Sequence, residues 1–142
     1  MNLDDCVFCR IASGAIRGLR VYEDEKTLAL MDIAGDVDGH ILVIPKQHCV
    51  DLTDCDPDTL NAVMQTVRTV ARHLTADCGY DGINLLHASG KSAGQSVPHF
   101  HIHMIPRRIA DGIDAWPAFT GAARDLRSVY EEVRMTEDPP RS

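Results

Sequence analysis

The stretch "SVPHFHIHMIPR", residues 96–107, sets His99, His101 and His103 at alternate positions with Phe100, Ile102 and Met104 interleaved. Polar and apolar side chains alternating at period two mark a half-buried β-strand, because successive side chains point to opposite faces. The three imidazoles therefore share one face at roughly 6–7 Å intervals, and the apolar set turns toward a core. Such a face has three readings: a metal cage, a nucleophile with helpers, or a solvated polar surface. Three rings in alternation, fed by the small-residue loop "SGKSAGQS" (89–96), favour a site over bare surface.

Working outward, residues 19–32, "LRVYEDEKTLALMD", read as a hairpin turning at "DEK", and "AGDVDGH" (34–40) is a turn-rich loop. "HILVIPK" (40–46) is an apolar strand ended by Pro45, and "GINLLHA" (82–88) is another. Between them, Leu60, Val63, Met64, Val67, Val70, Ala71 and Leu74 recur at helical spacing. Asp56 is placed to cap that helix, Pro57 suits its first position, and Gly79 its stop. Residues 122–134 suggest a second, C-terminal helix, and 135–142 a flexible tail. Crossover helices do not regularly separate the strands. The expected fold is therefore α+β: a five-stranded-type antiparallel meander with one long helix and a C-terminal helix, in a single domain spanning 1–142.

The 142 residues carry 14 Lys and Arg against 21 Asp and Glu, a net charge of −7. That balance disfavours binding to nucleic acid polymers or anionic membranes. No apolar run approaches a membrane span, and the acidic start "MNLDDCVFCR" lacks a signal pattern, so a cytoplasmic protein is expected. The five cysteines are odd in number, which argues against a disulfide framework. Cys49, Cys55 and Cys78 read as small core residues or surface thiols.

The loop before the histidines reconciles an acidic chain with an anionic ligand. Its small residues let backbone N–H groups turn inward as a nest, with Lys91 and Ser96 adding local donors. A neutral imidazole is a good nucleophile toward phosphorus when one nitrogen keeps its lone pair and an acceptor fixes the other. The middle histidine, flanked by polar groups, suits that role, and His103 or Ser96 suits donation to phosphate or leaving-group oxygens. "CVFC" is a metal pair, a redox pair or chance. A closed zinc site needs two further ligands, and His48 and His99 are the available chain positions. His73 reads as solvated; His87 is open between core, solvent and site.

"CVFCRIASG", "VYEDE", "LALMDI", "DGHILVIPKQH" and "GQSVPHFHIHMIPR" together resemble the successive blocks of bacterial histidine triad (HIT) proteins over residues 6–107. The resemblance implies a homodimer sharing a continuous antiparallel sheet. It also implies a hydrolase or transferase acting on purine nucleotides or their conjugates through a covalent nucleotidyl-histidine. Carried over, His101 is the nucleophile, with His103 and Ser96 on the phosphate or leaving group. Gln95 and Ser96 fall in the phosphate-binding loop, Asp32 on ribose hydroxyls, and His40 at the nucleotide pocket. Cys6, Cys9, His48 and His99 match the ligands of a structural zinc. Two departures stand out: "HASG" (87–90) replaces an Asn-rich run, putting Ala88 where an amide would reach the phosphate, and Pro98 replaces a common aromatic residue. The first keeps a second reading alive, a non-catalytic purine-nucleotide-binding regulator. A third reading is a metallohydrolase with zinc on the three alternating histidines.

Overall fold

A computed structural model describes residues 3–135. After a 3-10 turn at Leu3–Asp5, the elements run α1 (Val7–Ala12), β1 (Arg20–Glu23), β2 (Thr27–Met31), β3 (Ile41–Pro45) and α2 (Pro57–Ala76). Then come β4 (Gly82–Leu86), a 3-10 turn at Lys91–Ala93, β5 (Ile102–Arg107) and α3 (Leu126–Val133). The fold is α+β, built on a five-stranded sheet in the order β1-β2-β3-β5-β4 with every neighbouring pair antiparallel. β1 to β3 form a meander. β5 then enters beside β3 and leaves β4 at the edge, because the chain between β3 and β4 is consumed by α2 on the sheet's face.

Alternation along the strands makes two cores. Ala29, Ile41, Val43, Ile102 and Met104 meet Val63, Val67, Val70 and Leu74 of α2. Leu28, Leu30, Leu42 and Ile44 meet Cys6, Phe8 and Ile11 from the N-terminal segment. Covered on both sides, β2 and β3 are buried almost throughout. Four fully buried α2 side chains at roughly 2 kcal/mol each anchor the helix. Asp56 Oδ1 accepts from Thr59 N at 2.8 Å and caps it, with Pro57 in the first turn as the sequence implies. Met64 is the exception within the expected stripe: it is 47% exposed, lying past the edge of the sheet contact.

The histidine strand begins later than alternation suggests. Pairing starts at Ile102, against Val43, so His99 and His101 lie ahead of β5, with His99 in a bend whose N–H donates to Val97 O at 2.9 Å. Their backbones are otherwise engaged. The carbonyl of His99 accepts from its neighbour's ring and that of His101 from His87, while Phe100 N donates to Cys49 O at 2.8 Å. The faces nevertheless divide as the sequence indicates, with Phe100, Ile102 and Met104 all in the α2 core.

Two further expectations need correction. Cys49 and Cys55 are not free thiols: they form a disulfide that closes the turn between β3 and α2. Six residues apart in sequence and 5.1 Å apart at Cα, they meet because that turn folds back on itself. The expected C-terminal helix over 122–134 is confined to Leu126–Val133, started by Asp125 capping Ser128 N at 2.9 Å. Of the tail expected at 135–142, residues 136–142 lie outside the described residues.

Candidate active site and metal centre

The α1 face of the sheet collects the histidines. β5 carries His103, opposite Leu42 of β3. His40 ends the loop entering β3, and His48 comes after β3. Gly39 makes the entry possible. Its φ is +80°, and a Cβ there would stand 2.8 Å from Pro106 Cγ and 3.1 Å from the Tyr80 hydroxyl, so only glycine fits the turn into His40.

Cys6, Cys9, His48 and His99 converge, with one ligand atom from each within 4.8 Å of the others. Cys6 Sγ lies 3.2 Å from His99 Nδ1, Cys9 Sγ 3.3 Å from His48 Nδ1 and 3.5 Å from His99 Nδ1, and the two Nδ1 atoms are 3.2 Å apart. A tetrahedral zinc with ordinary Zn–S and Zn–N bonds spaces its ligand atoms by about 3.3–3.8 Å, so the donor set fits that ion. The histidine tautomer fits as well. His99 Nε2–H donates to Pro45 O at 2.8 Å, which turns the lone pair of Nδ1 toward the thiols. Burial pushes Cys9 up to about 11, helped by the Cys6 sulfur beside it, and burial pushes His99 down to about 4. A cation at the centre opposes the first effect and favours the neutral imidazole left by the second.

His101 faces elsewhere. Its Nδ1–H donates to His99 O at 2.7 Å, so Nε2 carries the lone pair. The residue is 6% exposed, and burial, reinforced by His87, lowers its pKa against the pull of the His99 carbonyl and Asp32. The lowered pKa favours the neutral ring, whose lone pair then sits on Nε2. Phe8 of α1 stands edge-on to both His101 (5.2 Å between ring centres) and His99 (5.6 Å).

His103 lies beside His101, ring centres 5.0 Å apart, and its Nδ1 is 2.9 Å from His40 Nε2. His40 Nδ1 in turn donates to Asp36 Oδ1 at 2.9 Å, and Asp32 Oδ2 lies 3.6 Å from His40 Nε2. Burial, then His101 and His40, push His103 down to about 4. Asp32, His40 and His103 also bring one ligand atom each within 4.8 Å. The three alternating rings thus point their Nδ1 atoms at three different partners: the thiols, a carbonyl and a fourth histidine. They do not form a shared metal cage.

The loop between β4 and the histidines is built by Gln95. Its Oε1 accepts from Gly90 N at 2.8 Å and its Nε2 donates to Val50 O (2.7 Å) and Val97 O (3.0 Å). Every strong group of that amide is engaged within the protein, so Gln95 shapes the loop rather than presenting its side chain. Gly94 adopts φ +95°, the left-handed turn a backbone nest needs, and Ser96 is exposed beside it. His87, left open by sequence, packs against Phe100 and donates Nδ1–H to His101 O at 2.8 Å. Its Nε2 meets Ser89 Oγ, which accepts from Leu52 N, so "HASG" ties the His101 backbone to the disulfide turn. His73 is exposed on α2, paired with Asp77. Sequence reasoning missed Asp36, although its position four residues before His40 was a readable signal.

A five-stranded antiparallel sheet with a long helix on one face, and histidines at alternate positions on the other, is the architecture of histidine triad domains. The HIT domain model matches residues 13–110, and the chain belongs to the HIT family. It is 39% identical over 104 residues to "Protein hit" of Bacillus subtilis, covering 73% of this chain and 72% of that protein. It is 38% identical over 108 residues to the adenylylsulfatase HINT3 of Arabidopsis thaliana, covering 76% of this chain and 55% of that protein. Among solved structures, a zinc-bound histidine triad protein of Mycobacterium smegmatis superposes with a TM-score of 0.75 at 42% identity, over 79% of this chain and 81% of that one.

Proposed function

We propose that the protein is a nucleotidyl hydrolase or transferase. It would cleave a purine nucleoside phosphoramidate, an adenylate or a dinucleoside polyphosphate at the α-phosphorus. The observation that carries this reading is the buried, neutral ring of His101, with Nδ1–H committed to the His99 carbonyl and Nε2 left bare.

In the proposed reaction the Nε2 lone pair forms a bond to the α-phosphorus while the bond to the leaving group breaks, and its electron pair departs with that group. The ring becomes cationic, and its hydrogen bond to His99 O, now charge-assisted, holds that charge. Water then attacks phosphorus, the P–Nε2 bond breaks, and the nucleoside monophosphate is released. His103 and Ser96 serve the phosphate oxygens or the leaving group, Gln95 and Ser96 form the phosphate loop, and Asp32 with His40 lines the ribose side. The adenylylsulfatase activity named for the Arabidopsis relative is of this reaction class.

A structural zinc on Cys6, Cys9, His48 and His99 completes the proposal, supported by ligand spacing, by the His99 tautomer and by the zinc-bound relative. Bound there, the ion would cross-link α1 to the end of β3 and the start of the histidine segment. The protein is further proposed to be cytoplasmic and to act as a homodimer, consistent with an unpaired β4 edge on which Leu85 is 44% exposed. Among the described residues no helix is long and apolar enough to cross a membrane.

The test is turnover of an adenosine phosphoramidate and of adenylylsulfate. His101→Ala is expected to abolish release of AMP while nucleotide binding stays measurable. Full turnover by that variant would end the covalent reading, and an inert wild type that still binds AMP would favour the regulatory one.

A further inference from the structure

We propose that Asp36 is a positioning residue that holds a proton on His40 for delivery, through His103, to the leaving group. This rests on the nucleotidyl-transfer reading above and adds to it a residue and a proton route.

The geometry is a chain of three groups. Asp36 Oδ1, His40 Nδ1, His40 Nε2 and His103 Nδ1 are linked by two contacts of 2.9 Å. A carboxylate only accepts, so His40 Nδ1 carries a hydrogen. The contact between the rings holds one proton, which sits on either nitrogen. With the proton on His40 Nε2, His40 is an imidazolium, His103 Nδ1 accepts, and His103 Nε2–H is free to donate. With the proton on His103 Nδ1, His40 is neutral and His103 Nε2 is a bare acceptor. The two arrangements differ by one proton at the far end of His103.

That difference matches what the reaction needs. As the leaving group departs with its electron pair, His103 Nε2–H passes to it, and His103 Nδ1 takes the proton from His40 Nε2. When water attacks phosphorus, His103 Nε2 takes the water proton, and the Nδ1 proton returns to His40. One proton leaves and one comes back in each cycle, so the site resets without a further acid or base.

The groups facing His40 are Asp36 and Asp32 from its own loop and His103 from β5. Asp36 Oδ1 accepts directly from His40 Nδ1 at 2.9 Å, and Asp32 Oδ2 lies 3.6 Å from His40 Nε2. His40 is 6% exposed, so little water competes, whereas the side chain of Asp36 is 54% exposed and its own ionisation is unhindered. His103, pushed down by burial and by both neighbouring rings, is unsuited to storing charge and suited to passing it on.

The experiment uses Asp36→Asn and Asp36→Glu with two substrates: an AMP alkylamine phosphoramidate, whose leaving group must be protonated, and an acyl adenylate, whose carboxylate leaves unaided. Leaving-group release is measured in a single turnover across pH. Asp36→Asn is expected to slow the phosphoramidate about tenfold, a share of the usual general-acid contribution, and the adenylate much less. The basic limb of the phosphoramidate profile should move to lower pH, and Asp36→Glu should recover the rate. Equal slowing of both substrates, no slowing, or an unmoved limb would overturn the relay. The ratio between substrates within one variant is independent of the folded fraction, so a poorly folding variant still decides. Failure of the underlying reading looks different: wild type would release neither leaving group, or His101→Ala would release both.

Discussion

At the scale of single residues, His99, His101 and His103 show how neighbours of one kind acquire different chemistry. The backbone sets them apart. Pro45 O takes the Nε2 proton of His99, while His99 O takes the Nδ1 proton of His101, so adjacent rings in the row are fixed as opposite tautomers. His103 makes its bond to another ring instead. That ring should make stability depend on pH. Its ordinary value of 6.5 falls to about 4 in the folded chain, so the unfolded chain binds more protons between those values. Stability should therefore fall as pH drops from 6.5 toward 4 and level off below. Urea midpoints across that window should decline less in His103→Gln than in wild type at equal metal loading. The sequence made the histidines legible because alternation is a local signal. The proton on each ring was not legible, since it depends on carbonyls that only the fold brings near.

At the scale of elements, α1 is six residues long, too short to persist without outside support. Phe8 and Ile11 bury into the sheet, and Cys6 and Cys9 tie its first turn to His48 and His99. Metal analysis is expected to find about one zinc per chain, lost in Cys6→Ser/Cys9→Ser. On chelation, amide exchange should quicken in residues 7–12 well before it does in α2, which keeps its own core. The turn between β3 and α2 carries the disulfide, and removing it with Cys49→Ala/Cys55→Ala should cost about 2 kcal/mol by loop entropy, read from denaturant unfolding. Here the sequence misled, because an odd cysteine count speaks against a full framework and says nothing of one pair. The long helix was readable from Asp56, Pro57 and its stripe. The insertion of β5 between β3 and β4 was not, because strand order is set by long-range pairing rather than local pattern.

At the scale of the whole molecule, the described residues leave apolar surface beyond the two cores. Ile109, Trp116, Phe119, Leu126 and Val133 are each at least two-thirds exposed, and β4 ends the sheet without a partner strand. Light scattering at micromolar concentration is expected to give twice the chain mass of 15.6 kDa, and Leu85→Arg on the β4 edge should shift it toward one. The family resemblance spans Cys6 to Arg107 and carries little signal beyond residue 107, and the α3 region shows why. Its residues are nearly all exposed, so no packing pattern constrains them.

The ring of Phe8 touches the imidazoles of both centres. If the proposed ion is held there, removing it would loosen α1 and with it Phe8, the ring that packs edge-on against His101. Gradual demetallation should yield a sluggish protein before a denatured one, with catalysis fading while circular dichroism still reports an intact sheet.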